Sequence, residues 1–435
     1  MPLHFVALPR IDLRSQGRED RARWQARCRR AAGLSGPADA AARAIVERVR
    51  SEGDRAIVEL TAELEGRTLA IGEFELDAAT RSAACERVPA PLRAALELAA
   101  ARIAAFHRTQ LGGPTGLTSG GASLASRPTP LARVAVYAPG GTAAYPSSVL
   151  MTAVPAKIAG VAEVILFTPR PSDVVVLAAR IAGVDRIFAI GGAQAIAAAA
   201  YGTATVPRVD KIVGPGNAWV TAAKRHVYGV CDVDGIAGPS EILVVADATA
   251  DAGIVAADLL SQAEHDELAC AVLVTDDVEL ARRVDAELVA QLADLPRAAI
   301  ATAALAEHGA VVLVRDREAM VATANEYAPE HLELLVARPD ELVAQLRTCG
   351  AIFVGAWTPE AAGDYTAGPS HVLPTAGAAR FGSPLGVWDF VKYTSVLHLD
   401  AAALAEQGDA IVALARAEGL EAHARAVERR LRGRS

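Results

Sequence analysis

The 435-residue sequence has few aromatic residues, few cysteines and no basic excess. Phe, Trp and Tyr together make up 4 % of the chain, so its core must be built mainly from Ala, Val, Leu and Ile. The net charge of −8 argues against nucleic-acid binding, which normally requires a basic surface. With 52 % hydrophobic and 22 % charged residues, the chain is neither disordered nor collagen-like. Its length predicts roughly two to four globular domains.

The five cysteines are widely spaced and include no C-x-x-C pair. A disulfide framework or a thiolate zinc site is therefore not expected, and a reducing cytoplasm fits this usage best. Because the first residues lack a long apolar segment, we expect no signal peptide. Two uncharged windows, 134–156 and 187–207, have membrane-spanning length, but Gly, Pro, Ser or Thr interrupts both, and we expect no membrane span.

From residue 131 onward, short apolar runs alternate with alanine-rich helical stretches. This alternation predicts an α/β fold in which crossover helices connect parallel strands, here in two Rossmann-like sheet domains with helical arms at both ends. The expected strands are 134–137, 164–167, 187–190, 211–213 and 242–245 in a first series, and 271–274, 311–314, 332–336 and 351–354 in a second. Between predicted helices and strands, the Gly-, Ser-, Thr- and Pro-rich segment 109–130 is expected to be an irregular connection.

These patterns predict four divisions of the chain. The polar first segment forms a helical arm, and the basic last segment forms another that is too small for a core of its own. The arm at the C-terminus must therefore pack on this subunit or on a partner. The predicted divisions are 1–30, the N-terminal arm; 31–136 plus 241–385, a first α/β domain; 137–240, a second α/β domain; and 386–435, the C-terminal arm. The residues considered below place metal binding and catalysis in the first α/β domain and nucleotide binding in the second.

Three strands of the first series end in a glycine turn that opens a helix. Such turns lie at the carboxyl edge of a parallel sheet, where ligands bind in open α/β folds. Glycine lets a ligand approach the backbone, and helix N-termini favour anionic groups. None of the turns matches G-x-G-x-x-G, however, and tight strand-to-helix connections explain them equally well. The glycines are Gly140, Gly141, Gly191, Gly192, Gly214 and Gly216, and the polar residues beside them are Tyr137, Gln194 and Asn217.

Two further groups of residues could carry chemistry. Gln262 and His265 share one face at the end of a predicted helix, 251–267, and both residue types can bind metals. A Q-x-x-H pair is usually only a polar helix face, so a metal site needs distant ligands, for which Asp364, His371 and His423 are candidates.

Glu330 and His331 are adjacent proton acceptors just before a predicted strand, and they could act in different steps of an acid–base reaction. Their alternative role is that of solvated loop or capping residues.

Six separated motifs together resemble the histidinol dehydrogenase family and occur in the family's order, from about residue 30 to the C-terminus. They are GIAGPSEILVVAD, LLSQAEHD, NEYAPEHLE, GDYTAGPSHVLPT, SPLGVWDFVK and EGLEAHARAVERRL. The resemblance implies a homodimeric enzyme that needs one zinc ion per subunit and takes L-histidinol to L-histidine through L-histidinaldehyde. This four-electron oxidation uses two NAD+ and is the last step of histidine biosynthesis. One departure is Tyr393, where many relatives have a basic residue.

The resemblance also assigns residues. It implies zinc ligands Gln262, His265, Asp364 and His423; NAD+ contacts Tyr137, Gln194 and Asn217; substrate contacts Ser240, Gln262, His265, His331, Asp364, Glu418 and His423; and proton acceptors Glu330 and His331. Glu418 and His423 lie in the terminal arm and would complete the site of the neighbouring subunit. Neutral His331 would accept the hydroxyl proton, and Glu330 would activate the water that attacks the aldehyde. The nitrogen and oxygen ligands also allow manganese or cobalt.

Three other functions stay open from the residues. A dehydrogenase of the same fold could act on another amino alcohol or polyol, although Glu418 and His423 disfavour this if they hold imidazole and amine groups. A metal-dependent hydrolase could use Glu330 as its water base. A non-catalytic ligand-binding α/β protein would leave the adjacent Glu330 and His331 unexplained.

Overall fold

The computed structural model describes residues 6–15, 17–30, 36–140 and 145–432. Its strands are β1 Arg10–Asp12, β2 Thr115–Ser119, β3 Ala122–Pro130, β4 Arg133–Tyr137, β5 Glu163–Phe167, β6 Arg186–Phe188, β7 Lys211–Val213, β8 Asp232–Val233, β9 Glu241–Ala246, β10 Cys270–Thr275, β11 Ala310–Leu313, β12 His331–Leu335, β13 Ala351–Val354 and β14 Val391–Leu399. Its helices are α1 Arg18–Cys28, α2 Pro37–Glu52, α3 Asp54–Glu65, α4 Ala78–Arg87, α5 Ala90–Arg108, α6 Pro146–Ala159, α7 Asp173–Ile181, α8 Gly192–Tyr201, α9 Ala218–Val227, α10 Ala252–Ala263, α11 Val278–Leu292, α12 Ala298–Glu307, α13 Arg317–Tyr327, α14 Asp340–Val343, α15 Glu360–Tyr365, α16 Ala401–Ala417 and α17 Glu421–Arg432.

Two parallel sheets organise the described part of the chain. One has six strands in the order β1-β11-β10-β9-β12-β13, and the other has five in the order β6-β5-β4-β7-β8. Their central strands are apolar and buried along most of their length, as parallel sheets covered by helices on both faces require. The predicted α/β fold with two parallel sheets is confirmed.

The five-stranded sheet is covered on both faces. Helices α6 and α7 pack on one face together with α4 and α5. Helices α8 and α9 pack on the other face together with α2 and α3. Residues 37–108 thus share their core with the sheet of residues 133–233, whereas the predicted division grouped 31–136 with 241–385. The sequence does not show which sheet these helices cover, because an apolar stripe such as those of α2 to α5 is found on any helix that packs on a sheet.

The first segment is built into the six-stranded sheet. β1 pairs in parallel with β11 at the edge of that sheet. Trp24 of α1 is fully buried and stacks on Tyr327 of α13, with ring centres 5.4 Å apart. Its indole N–H donates a hydrogen bond of 3.0 Å to Glu326. Part of the predicted arm, residues 1–5 and residue 16, lies outside the described residues.

A small antiparallel sheet, β14-β3-β2, corrects one expectation. Segment 109–130 was expected to be an irregular connection, but it contains β2 and β3. All of β2 is exposed, so the segment lacks the apolar alternation that marks a strand. Its pairing depends on β14, more than two hundred residues later in the chain, which includes the exposed Tyr393.

The C-terminal arm is a helical hairpin of α16 and α17. The chain reverses at Gly419, whose φ of 75° is in the left-handed region that favours glycine. Helix α17 packs on α16, and most of its residues are exposed. Within the described ranges, each helix is too short or too polar to cross a membrane.

Candidate active site

Glu330 and His331 lie at the amino end of β12, where that strand pairs with β9. Both side chains are buried, with exposed fractions of 5 % and 4 %. Glu241, the first residue of β9, contacts both through its backbone. Its N–H donates to Glu330 Oε2 over 2.9 Å, and its carbonyl oxygen lies 3.1 Å from His331 Nδ1. One residue of the neighbouring strand therefore holds both predicted proton acceptors.

The backbone contact assigns the tautomer of His331. Because a carbonyl oxygen can only accept, Nδ1 carries the proton and Nε2 keeps a free lone pair. Burial lowers the pKa of His331 to about 4, against the opposing charge of Asp364. The imidazole is therefore neutral near pH 7 and can accept a proton at Nε2.

Glu330 has the opposite tendency. Burial raises its pKa well above 4.5, and the carboxyl groups of Glu241, Glu360 and Asp364 add to that effect. The hydrogen bond from the Glu241 N–H opposes it only in part. A cation beside Glu330 would favour its ionised form, which a general base requires.

A cluster of possible metal ligands adjoins this pair. His331, Glu360 and Asp364 each offer a ligand atom, and these atoms lie within 4.8 Å of one another. Burial raises the pKa of Asp364, but a hydrogen bond with His371 and the electrostatic influence of the neighbouring imidazoles outweigh it, so the pKa falls below 3.8. The Asp364 carboxyl is thus ionised at neutral pH.

Gln262 and His265 face each other at the end of α10, with Gln262 Nε2 3.4 Å from His265 Nδ1. Gln262 Oε1 and Glu360 Oε1 are buried, and neither has a hydrogen-bond partner among the described residues. Buried oxygens without partners, beside an ionised aspartate and imidazoles, fit a divalent cation of zinc type. Of the predicted ligands, Asp364 belongs to the close group of ligand atoms, whereas His265 is exposed and is not in that group.

The residues of the terminal arm are not brought to this cluster. Glu418 and His423 are exposed, one at the end of α16 and the other on α17. In the described part of the chain, the close group of His, Cys, Asp and Glu ligand atoms does not include His423. Ser240 is half-buried directly before β9, and its backbone carbonyl oxygen accepts a 3.0 Å hydrogen bond from the Cys270 N–H.

Sequence reasoning missed four buried acidic residues around the pair: Glu241, Asp258, Glu333 and Glu360. Glu360 had a local signal, because it lies four residues before Asp364 and shares a face of the short helix α15 with it. Ser261 Oγ donates a 3.0 Å hydrogen bond to Glu360 Oε2. The other three were hidden inside apolar strands or a helix.

The second candidate region is the carboxyl edge of the five-stranded sheet. Tyr137, at the end of β4, accepts a 3.0 Å hydrogen bond at Oη from the Gly192 N–H. Gln194 Nε2 donates to Glu65 Oε1 over 3.2 Å. Gln194 Oε1 is buried and lacks a hydrogen-bond partner among the described residues. This unpaired oxygen beside a helix start fits a polar ligand such as a nucleotide.

The glycines of this edge also have a packing role. A Cβ on Gly140 would lie 2.7 Å from Pro169, and one on Gly191 would lie 2.4 Å from it. At Gly214, φ is 114° and a Cβ would be 2.2 Å from the Tyr137 carbonyl oxygen. These turns therefore require glycine whether or not a ligand binds. Gly141 of the first turn lies outside the described residues.

Asn217 begins α9. Its Oδ1 accepts hydrogen bonds of 3.1 Å from the N–H groups of Trp219 and Val220. The turn before it is held by buried Lys224, whose Nζ contacts the Gly214 carbonyl at 2.5 Å and Asp234 Oδ1 at 2.7 Å. Asn217 is thus an exposed cap on a rigid turn.

One loop, 366–376, connects the two regions. Ser370 Oγ donates to the Met151 carbonyl of α6 over 3.2 Å, and the Gly238 N–H donates to Thr375 Oγ1 over 2.6 Å. The Ala376 N–H donates to Glu241 Oε1 over 2.6 Å. The loop thus links α6, which follows the turn after β4, to the start of β9. The buried pair can accept protons, and the loop connects it through hydrogen bonds to a helix of the sheet that carries the glycine turns.

Comparison with known proteins agrees with this chemistry. The family model described as histidinol dehydrogenase matches residues 29–431. The histidinol dehydrogenase of Syntrophotalea carbinolica is 53 % identical over 394 residues, covering 89 % of this chain and 91 % of that protein. That of Dechloromonas aromatica is 50 % identical over 393 residues, covering 89 % and 91 %. A crystal structure of histidinol dehydrogenase from Elizabethkingia anophelis superposes with a TM-score of 0.92 at 32 % identity and covers 99 % of both chains.

Proposed function

From the premise that this chain belongs to the histidinol dehydrogenase family, we propose a complete reaction and assign its residues. Family membership makes the protein an oxidoreductase that acts on histidinol in histidine biosynthesis. The proposal is that it oxidises L-histidinol to L-histidine through L-histidinaldehyde, with two NAD+ and one zinc ion per subunit. The observation that carries it is the pair Glu330 and His331, held side by side by Glu241.

In the first oxidation, His331 Nε2 accepts the proton of the substrate hydroxyl. The low pKa of His331, about 4, keeps this nitrogen unprotonated, and the Nδ1 contact with Glu241 fixes the ring orientation. NAD+, when bound, supplies the site with a hydride acceptor. Tyr137, Gln194 and Asn217 are the residues proposed to bind it, supported by the unpaired Gln194 Oε1.

In the second oxidation, Glu330 removes a proton from the water that attacks the aldehyde carbonyl. The resulting hydrate then loses a hydride and a proton to give the acid. Glu330 must be ionised for this role, although burial favours its protonated form. The bound cation and substrate therefore have to shift its pKa downward, which couples this step to an assembled site.

Zinc, when bound, contributes positive charge and fixed coordination positions that orient the substrate. Gln262, His265 and Asp364 of one subunit would hold it, with His423 as the fourth ligand. The orphaned Gln262 Oε1 supports this assignment. Ser240 and Glu418 are proposed substrate contacts, in addition to Gln262, His265, His331, Asp364 and His423.

The proposed enzyme is a homodimer with shared sites. The exposed positions of Glu418 and His423 on a hairpin with little packing support this, because such a hairpin can dock on a neighbour. A two-fold dimer would exchange hairpins reciprocally and build two equal sites. All five cysteines are free thiols, which is consistent with the proposed cytoplasmic location.

The test of the reaction is a turnover assay with histidinol, NAD+ and zinc that counts reduced cofactor per histidine formed. We expect two reduced cofactors per histidine from histidinol, and one when histidinaldehyde replaces histidinol in the assay. A product that forms without reduced nicotinamide would instead support the metal-dependent hydrolase. Faster oxidation of another amino alcohol than of histidinol would show that the proposed substrate is wrong.

The shared site is tested by mixing two inactive variants, His423→Ala and His265→Ala. A mixed dimer would have one site with both lesions and one with neither, so random exchange should restore roughly a quarter of wild-type activity. If each site lay within one chain, every site would keep a lesion. A mixture that stays inactive despite proven subunit exchange would reject the shared site.

A further inference from the structure

We infer that Arg30 is a positioning residue that acts through Glu241 to hold Glu330 and His331 in their reactive arrangement. The inference rests on the proposed roles of Glu330 and His331. Arg30 follows α1 in the N-terminal segment, three hundred residues from the pair in sequence. It belongs to none of the motifs that carry the family resemblance.

Glu241 is the link because it contacts both proton acceptors with its backbone. Its N–H binds the Glu330 carboxyl, and its carbonyl oxygen faces His331 Nδ1. The same peptide segment thus determines where the Glu330 carboxyl lies and which nitrogen of His331 is free. Any displacement at the start of β9 moves both acceptors together.

The Glu241 side chain is fixed on two sides. It is 1 % exposed, and Oε1 accepts the Ala376 N–H over 2.6 Å. Oε2 lies 2.5 Å from Arg30 Nη2, in an ion pair that is itself largely buried. Burial raises the pKa of Glu241, and Arg30 is the strongest of the influences that oppose this. Without Arg30, the carboxyl would be a buried charge with no cation beside it, or it would take up a proton.

Arg30 is held with similar precision. Its guanidinium lies 3.5 Å from the ring centre of Tyr327, which stacks on Trp24 on α1. Both terminal nitrogens lie 3.2 Å from the Tyr327 carbonyl oxygen, which accepts their hydrogen bonds. The guanidinium stacks on the Tyr327 ring, donates to the Tyr327 carbonyl oxygen and pairs with Glu241. A lysine ammonium group is not planar and cannot make all three interactions equally well. The N-terminal segment thus reaches the two proton acceptors only through Glu241.

The experiment compares Arg30→Ala with the matched control Arg27→Ala. Arg27 lies one helical turn earlier and donates to the backbone carbonyls of His308 and Gly309, so its loss tests general docking of the segment. We expect Arg30→Ala to lower kcat by roughly 10- to 100-fold with the KM values of histidinol and NAD+ nearly unchanged, because misplaced acceptors slow proton transfer. Oxidation of histidinol and of supplied histidinaldehyde should fall by a similar factor. Arg27→Ala should retain most of the wild-type kcat.

Chemical rescue separates positioning from folding. Guanidinium or ethylguanidinium at non-denaturing concentration should restore part of the Arg30→Ala activity, whereas sodium chloride at equal ionic strength should not. Arg30→Lys keeps the charge, is expected to fold if Arg30→Ala does not, and should have intermediate kcat in both oxidations. Wild-type kcat in both Arg30 variants, or a folded Arg30→Ala that guanidinium does not rescue, would overturn the inference. Absence of histidinol oxidation in the wild type would instead overturn the proposed function.

Discussion

The two candidate regions lie at opposite kinds of sheet edge. The proposed nucleotide region occupies the carboxyl edge of the five-stranded sheet and is built from glycine turns and helix starts. The region with the proton acceptors occupies the amino edge of the six-stranded sheet and is built from buried carboxyl groups around one imidazole. The first offers the unpaired amide oxygen of Gln194, and an amide group does not titrate near neutral pH. The second depends on burial, which lowers the pKa of His331 and raises the pKa of Glu330, so that each group favours its neutral form.

The difference indicates a division of labour. In the proposed reaction, the glycine turns would bind and release NAD+ twice in one cycle without a change in the charge of their side chains. A buried acidic edge can hold one substrate while its proton acceptors change protonation state. Loop 366–376 forms hydrogen bonds with α6 and with Glu241, and so links the two regions. Changes at the two edges should therefore have separable effects.

Metal removal should give the largest effect, confined to the amino edge. A chelator is expected to reduce turnover to background, because Gln262, His265 and Asp364 lose the ion that orients the substrate. The fold and NAD+ affinity should survive, since the proposed ligands come from elements already held by an α/β core. Turnover, circular dichroism and NAD+ titration measure these three properties, and added zinc should restore turnover. Unfolding of the whole chain on chelation would make the metal structural and erase the proposed separation.

Substitution of the two proton acceptors at the amino edge should affect the two oxidation steps differently. His331→Asn should mainly slow oxidation of the alcohol, and Glu330→Gln should mainly slow oxidation of supplied aldehyde, each by on the order of 10²–10⁴-fold. Both replacements are close in shape to the native side chains, which limits packing changes. Single-turnover measurement of each half-reaction checks this prediction. Equal damage by both variants in both half-reactions would contradict separate roles.

At the carboxyl edge, Tyr137→Phe should act on NAD+ alone. The change removes the Oη that accepts the Gly192 N–H and that is proposed to contact NAD+. Loss of one hydrogen bond to the cofactor costs roughly 1 kcal/mol, which corresponds to about a fivefold higher KM for NAD+. Tyr201→Phe is the control, because Tyr201 lies at the far end of the same helix, α8. Initial-rate kinetics with histidinol and NAD+ varied in turn would measure the two KM values of each variant. A rise in the KM for histidinol instead of NAD+ would break the comparison between the edges.

The sequence predicted the carboxyl edge better than the amino edge for a physical reason. Glycine turns after apolar strands are local features, and the strands predicted at 134–137, 164–167 and 211–213 agree with β4, β5 and β7 to within a residue. The family motifs also identified the histidinol dehydrogenase family, which the comparisons confirm. The assigned roles of the individual site residues stay predictions.

The acidic surroundings of His331 could not be predicted because they depend on pairing between distant strands. Glu241 faces Glu330 only since β9 and β12 are neighbours, although 89 residues separate them in the chain. A glutamate inside an apolar strand, such as Glu333, carries no signal of the acid group that it meets. The exposed strand β2 was missed for a similar reason, because its partner strand rather than its own sequence determines it.

Glu333→Gln should give the smallest effect on activity and a measurable effect on stability. Burial raises the pKa of Glu333 well above 4.5, the nearby charge of Asp258 adds to this, and Glu333 keeps its proton in a hydrogen bond to Asp258. Above pH 4.5 the unfolded chain releases this proton and the folded chain does not, so the free energy of unfolding falls as the pH rises towards the folded-state pKa. Gln donates a similar hydrogen bond without a proton to lose, so the variant should be more stable at pH 8 by about 1 to 3 kcal/mol and gain less at pH 5. Urea unfolding at both pH values measures this, with Glu267→Gln at the surface as the control. A gain independent of pH would show that Glu333 is not a buried neutral acid, and the amino edge would then lack the burial that sets it apart from the glycine turns.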